Sequence, residues 1–341
     1  NGFGAVVVVG SVEYITQQAS IGATVIAWTS PQCMLIGSAT GLWLIDIDHP
    51  DNPYHLAYQR ERAVGNVAVN PEDGSIAFSF VQDRAVHRLY PGGTVSTLEA
   101  GGRFVTDLGF SSDGTLLAVA SMDYEDNLPG TYSPRVQFWR GGQMVTDIVT
   151  SEIGSILGLD FSIDDQYVLI HRQRSGYIGD QIELWNIDRA ERVWSYDDLL
   201  RGLEQWSEND PLAVTSVTMR GDVLALGGLD GYMNWDEYYG TAVHLWNPEM
   251  QERRAEIVIS RRMSDNDENA LADISLNSDG FQLATARRDG RIQLWNTIDG
   301  SQIAEFSVNT LQTAYLAFSP DDRLLAIVND SEITIWDMQR M

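Results

Sequence analysis

The strongest constraint on this chain is a phrase that it repeats. Near the C-terminus it reads Leu316-Ala317-Phe318-Ser319-Pro320-Asp321-Asp322, then Leu324-Leu325-Ala326-Ile327-Val328, then Ile333-Thr334-Ile335-Trp336-Asp337. The stretch before it follows the same grammar: Ile274-Ser275-Leu276-Asn277-Ser278-Asp279-Gly280, Gln282-Leu283-Ala284-Thr285-Ala286, and Asp289-Gly290-Arg291-Ile292-Gln293-Leu294-Trp295-Asn296. One unit is an apolar strand, a Ser-x-Asp-Gly turn, a small-residue strand, a second turn, and a strand closing on Trp-Asp or Trp-Asn. The closing dipeptide returns upstream as Trp246-Asn247, Trp185-Asn186, Trp139-Arg140, Tyr90-Pro91 and Ile45-Asp46, at successive intervals from Ile45 of 45, 49, 46, 61, 49 and 41 residues. Seven units result, ending near residues 46, 91, 140, 186, 247, 296 and 337.

Each part of the unit has a physical reason. Alternation of apolar residues at period two builds half-buried strands. Asp-Gly pairs accept positive φ and close tight turns. A single small sheet cannot bury both of its faces, whereas a ring of sheets packed face to face can. The aromatic that ends the third strand is placed to wedge between neighbouring sheets. On these motifs, over roughly residues 12–337, the chain resembles the WD40-repeat family. The resemblance implies an all-β fold: a seven-bladed β-propeller of four-stranded antiparallel blades, as one domain over residues 1–341. The family's Gly-His near each repeat start is absent, so the polar network it supports should be largely missing. The last unit has only three strands of its own. A segment at about residues 12–16 is expected to supply the fourth and close the ring by its N-terminal strand, hiding a sheet edge.

Charge narrows the partners. With 22 basic and 48 acidic residues the net charge is −26, which disfavours nucleic acid and anionic membrane surfaces. No apolar run approaches a membrane span, so membrane insertion is not expected. All of the basic residues are arginine. The absence of lysine removes Schiff-base chemistry, a P-loop amine and Ser-Lys nucleophile pairs. Cys33 is the single cysteine and is expected as a small buried residue, with no disulfide to form. The chain opens on Asn-Gly-Phe, as a processed form or an excerpt would. With the acidic, lysine-free composition this leans toward an extracytoplasmic location.

Function on a repeat scaffold is expected where the chain exceeds the repeat's needs. Three consecutive units lengthen the connection between their second and third strands, at 122–134, 171–180 and 230–240. Two connections into innermost strands are also long and acidic, 196–210 (with a short helix expected) and 264–269. In the propeller resemblance all five emerge on one rim. They bring aromatics beside carboxylates: Tyr124, Tyr132, Tyr177, Trp206, Tyr232, Trp235, Asp236, Glu237, Tyr238 and Tyr239. Tyrosine and tryptophan concentrate at binding hot spots, and flanking carboxylates favour a protein or peptide partner carrying basic residues. The structural alternative is that these aromatics pack on one another and hold the insertions down. Seven of the 22 arginines lie between Arg253 and Arg291, where internal pairing with residues 265–268 is expected.

Catalytic and metal chemistry leave little trace. Asp265, Asp267 and Asn269 have alternating-oxygen spacing but lack the glycine and terminal glutamate of a calcium loop. No local zinc motif and no Gly-x-Ser-x-Gly elbow is present. The expectation is a non-enzymatic protein-interaction scaffold, with no cofactor and no metal. The alternative is a propeller with a small-molecule or carbohydrate site on the same face, catalytic or calcium-dependent. A deep pocket with converging carboxylates would favour that alternative.

Overall fold

Apolar alternation and turn chemistry are realised as strands almost throughout. The computed structural model describes residues 23–49, 54–56, 62–124, 132–149, 154–173, 180–196, 213–234, 237–248, 251–260, 270–308, 315–328 and 333–340. Blade 1 contains β1 (Ala23–Ser30), β2 (Cys33–Ser38), β3 (Gly41–Asp46) and β4 (Tyr54–Leu56). Blade 2 contains β5 (Val64–Val69), β6 (Ile76–Phe80), β7 (Ala85–Leu89) and β8 (Val95–Glu99). Blade 3 follows with β9 (Phe104–Phe110), β10 (Leu117–Tyr124), β11 (Tyr132–Arg140) and β12 (Gln143–Val149). In blade 4 these are β13 (Ile156–Phe161), β14 (Tyr167–Arg172), β15 (Gln181–Asn186) and β16 (Glu191–Ser195). Blade 5 is built from β17 (Ala213–Arg220), β18 (Val223–Asn234), β19 (Glu237–Asn247) and β20 (Glu252–Ser260). Blade 6 has β21 (Leu271–Leu276), β22 (Gln282–Arg287), β23 (Arg291–Asn296) and β24 (Gln302–Ser307). Blade 7 has β25 (Tyr315–Phe318), β26 (Leu324–Val328) and β27 (Ile333–Asp337). A single 3₁₀ turn, Met338–Arg340, follows.

Every sheet is an antiparallel meander with strands in chain order. The innermost strand of each blade touches the innermost strand of the next, from β1 through β5, β9, β13, β17 and β21 to β25, and β25 returns to β1. The molecule is therefore an all-β, seven-bladed propeller. The closing strand expected at residues 12–16 lies outside the described residues. Closure is visible elsewhere: Trp28, Met34 and Ile45 of blade 1 share a core with Ala326 and Ile335 of blade 7, and Trp28 Nε1 donates to Ala317 O at 3.1 Å.

The core sits in seven seams, one between each pair of blades. The aromatic that closes a third strand packs against the preceding blade. Trp246 joins Leu169, Leu184 and Trp194 of blade 4, and Trp295 joins Ala225, Val243 and Leu245 of blade 5. Trp139, Trp185 and Trp336 repeat the arrangement against blades 2, 3 and 6. Each such ring removes about 150–250 Å² from water, which is why no blade needs a core of its own.

Of the indole polar contacts, blade 6 keeps a direct one: Trp295 Nε1 donates to Thr285 Oγ1 at 3.0 Å. Blades 3, 4 and 5 place Val119, Ile170 and Leu226 at the register position of Thr285. Trp185 turns instead to Glu183 Oε2 at 3.0 Å, while Trp246 Nε1 is buried without a hydrogen-bond partner.

The lower turns are clamped across the seams. Gly114 and Gly280 take positive φ of 68° and 75° in blades 3 and 6. Asp165 and Asp322 hold the matching left-handed place in blades 4 and 7, at φ of 55° and 57°. Their carboxylates reach the neighbouring turn, accepting from Ser112 N at 2.7 Å and Ser278 N at 2.8 Å. Cys33, expected buried, is only partly so: it opens β2 beside the turn that joins it to β1. No helix among the described residues is long and apolar enough to cross a membrane.

Candidate functional site

In a four-stranded meander, the connection between strands two and three leaves from the same end as the connection into the next innermost strand. That end is the upper rim. Two of the insertions expected there as loops are paired strand where they are described. β10 and β11 remain paired up to Tyr124 opposite Tyr132. β18 and β19 continue through Asp230 opposite Gly240, Tyr232 opposite Tyr238 and Asn234 opposite Glu237, with a register shift between Tyr232 and Asn234. Their lengths of 12 and 11 residues compare with 6 each for β22 and β23. The excess is about 20 Å of ribbon. Tyrosine-rich hairpin stems favour strand over coil, which the reading of these segments as loops overlooked.

Six of the ten residues expected to bind thus lie on the two ribbons. Tyr124 and Tyr132 are register partners in blade 3; Tyr232, Glu237, Tyr238 and Tyr239 lie on the blade 5 ribbon. Tyr177, Trp206, Trp235 and Asp236 lie outside the described residues, as do the short helix expected in 196–210 and the acidic segment 264–269.

Below the rim the innermost strands share a second device. Register breaks recur near their starts, between Ala23 and Val25, Val64 and Asn66, Ile156 and Gly158, Val214 and Ser216, and Leu271 and Asp273. In blade 3 the break falls between Val105 and Asp107. The residue just past each break is Val25, Asn66, Asp107, Gly158, Ser216 or Asp273, and Tyr315 holds the corresponding offset in blade 7. Bulges of this kind re-aim side chains. Asp107, Gly158, Ser216, Asp273 and Tyr315 all line one cavity of about 340 Å³ in the central channel. Glycine and serine in blades 4 and 5 leave that volume open. Leu157 and His171 also line it.

The carboxylates of this cavity are bridges between blades. Asp107 accepts from Leu108 N at 2.8 Å in its own strand and from Leu159 N at 2.7 Å in blade 4. Asp273 repeats this with Ile274 N and, in blade 7, Leu316 N, both at 2.8 Å. Asp160 accepts from Met219 N at 3.0 Å and Arg220 Nη1 at 3.1 Å in blade 5. The seam between blades 2 and 3 uses the neutral version, Asn66 Nδ2 donating to Val105 O at 3.3 Å.

Burial shifts these groups. Asp107 and Asp273 open onto the channel but are walled in by protein, and desolvation pushes each carboxyl up to about 7 against the opposing effect of its two N–H donors. For Asp107 the neighbouring Asp160 adds to the rise. His171 Nε2 lies 2.8 Å from Asp180 Oδ2, holding the imidazole at the cavity wall. Beside it Arg172 is fully buried and pairs with Glu183 at 3.4 Å, which also meets Arg192 at 3.1 Å.

The cavity volume falls in the range of small-ligand sites, about 300–1,000 Å³. Each of the three aspartates already accepts two hydrogen bonds from protein donors. Among the described residues no group of three or more His, Cys, Asp or Glu is placed to hold a metal ion. Within the arginine-rich segment, Arg254 pairs with Asp222, Arg253 with Glu256 at 3.6 Å, and Arg287 with Asp289 at 2.5 Å; residues 265–268, the partners expected for it, lie outside the described residues. Asp107 and Asp273 escaped the reading of the sequence although a signal was present. Each stands four residues ahead of a turn residue, Ser111 or Asn277.

The comparisons agree with this architecture. The family model described as "WD domain, G-beta repeat" matches residues 92–124 and 262–296. Among solved structures, the chain is similar to one from Kuenenia stuttgartiensis hydrazine synthase, at 13% identity and a TM-score of 0.69, covering 98% of this chain and 100% of that one. It is also similar to a chain of a mitotic checkpoint complex, at 14% identity and a TM-score of 0.64, covering 94% and 88% respectively. At these identities the likeness is one of fold. A comparison with curated protein sequences gives no match.

Proposed function

We propose that this chain, a WD40-repeat β-propeller, is a non-enzymatic scaffold that binds a protein or peptide through its upper rim. The observation that carries the reading is the coincidence of two additions at one end. Long ribbons bearing Tyr124, Tyr132, Tyr232 and Tyr238 stand on blades 3 and 5, at the rim to which the innermost strands bring the mouth of the channel. The opposite ends of the blades are tight turns clamped to one another. Strand pairing fixes the backbone that carries these residues before a partner arrives, which lowers the entropy lost on binding. A net charge of −26 favours partners with exposed arginine or lysine and speeds their approach. WD40 propellers commonly act as protein-binding platforms, and one similar structure belongs to a checkpoint complex.

The cavity supports a second reading, a small-molecule site in the channel. Its volume, His171 and Tyr315 suit a compact ligand, and another similar structure is that of a hydrazine synthase. Asp107, Asp160 and Asp273 each already accept two protein donors there, so the carboxyls serve first as ties between blades. One experiment separates the readings. Partners captured from the native source and identified by mass spectrometry are titrated against Trp235→Ala, Tyr238→Ala and Gly158→Leu variants. Docking on the rim requires the two aromatic substitutions to weaken binding by tenfold or more with melting unchanged. A lowered melting temperature would mean that the aromatics pack. Loss of binding in Gly158→Leu alone would move the site into the channel. A Cβ at Gly158 meets only ordinary contacts with His171, so the backbone there accepts a side chain, and unchanged melting of the variant separates filling of the channel from strain.

A further inference from the structure

Two carboxylates on the wall of the channel lack a counter-ion. Asp107 of blade 3 and Asp273 of blade 6 line the same cavity, and among the described residues neither forms an ion pair with arginine or histidine. The chain has no lysine, and the nearby Arg220 is taken by Asp160. Each oxygen of the two carboxyls accepts one backbone N–H, which favours the ionised form and leaves further lone pairs open. A carboxylate walled in by protein without a partner calls for a cation or a proton.

Two more polar side chains, on the blades between, point to a ligand. His171 of blade 4 has a side chain only 8% exposed; its Nε2 is held by Asp180 Oδ2 at 2.8 Å, and its Nδ1 has no hydrogen bond among the described residues. Nδ1 lies 3.9 Å from where a Cβ at Gly158 would stand, and both residues line the cavity. With Nε2–H donating to a carboxylate, the neutral ring presents Nδ1 as an acceptor. Ser216 of blade 5 is buried, lines the same cavity, and has no side-chain hydrogen bond among the described residues. Leu169, Val217 and Ala272 supply apolar wall beside these groups. We propose that the cavity binds a short alkyl diammonium ion, with one ammonium at Asp107, the other at Asp273, and the methylene chain against the apolar wall.

The count of charges selects the ligand class. Two uncompensated carboxylates match a dication, and the open lone pairs on Asp107, Asp273 and His171 require N–H donors, which an ammonium supplies threefold. An anion is opposed by both aspartates and by the net charge of −26. A neutral polyol would leave both charges unmatched, and a monoamine would leave one. The proposal rests on the second reading of the channel, as a small-molecule site, and leaves docking on the rim untouched.

The test is titration calorimetry on the whole chain with putrescine, butylamine and butanediol, three ligands of one length that differ in charge. It is run at pH 8, above the value of about 7 to which burial pushes both carboxyls, and in about 0.15 M salt to screen the acidic surface. Putrescine should bind at least about tenfold tighter than butylamine, and butanediol should not bind. Asp107→Asn/Asp273→Asn should erase the preference for putrescine, and Gly158→Leu should abolish binding. No binding of putrescine, equal binding of the two amines, or binding that survives Gly158→Leu would overturn the proposal. Butanediol binding as tightly as putrescine, and lost in Gly158→Leu, would keep a small-molecule site in the channel while sinking the diammonium. Should the double aspartate variant fail to fold, ¹⁵N NMR of the wild-type imidazoles decides: putrescine shifts the His171 Nδ1 resonance if the assignment holds, and an unmoved resonance overturns it.

Discussion

Blades 5 and 6 are neighbours built on one grammar, and they differ at almost every place where the grammar leaves freedom. Blade 6 is compact. Its second and third strands are six residues each, a short Arg287–Gly290 link joins them, and its closing Trp295 donates to Thr285. Blade 5 keeps the same seam but has Leu226 in place of that threonine, leaves Trp246 Nε1 without a partner, and doubles the length of the strands that reach the upper rim. Burial is retained in both while the polar fastening and the rim vary. The comparison teaches that seam packing holds this ring, and that the rim is free to change without disturbing it.

The largest blow to that comparison would come from the seams. Trp246→Ala and Trp295→Ala should each lower stability by about 3–5 kcal/mol in denaturant unfolding, because both rings fill closed seams that cannot collapse. A loss confined to one of them would mean the two seams are not equivalent. A smaller effect is expected of the polar fastening: Thr285→Ala should cost about 1–2 kcal/mol by stranding the Trp295 indole, whereas Leu226→Ala in blade 5 reports packing alone. Smallest in stability, and greatest in function, is removal of the blade 5 ribbon. Replacing residues 231–239 by a two-residue turn should change unfolding by less than about 1 kcal/mol, as exposed hairpins add little. The same change should abolish partner capture; a partner retained at full affinity would separate the ribbon from the docking face.

Legibility varied with the distance over which a feature is decided. The seven units, their turns and the wedge role of Trp246 and Trp295 could be read because each depends on residues within one repeat. The strand pairing of 122–124 with 132–134, and of 230–234 with 237–240, was missed. The tyrosines there were weighed as binding groups and not as strand formers. Cys33 was misjudged for a similar reason: its apolar neighbours suggested burial, but its place at the start of β2 leaves it partly open. The aspartates of the channel were passed over altogether.

By itself, then, the order of residues determined how many blades form, where each strand turns, and that the whole is acidic and poor in nucleophilic chemistry. These follow from period-two burial and from turn residues acting over a few positions. Only the closed ring decided what Asp107, Asp160 and Asp273 do. Their partners are amides of Leu159, Met219 and Leu316, some 40 to 60 residues further along, brought within 3.0 Å solely because one sheet leans against the next. A carboxyl's solvation and the openness of the channel at Gly158 and Ser216 depend on that packing, and no local pattern encodes it.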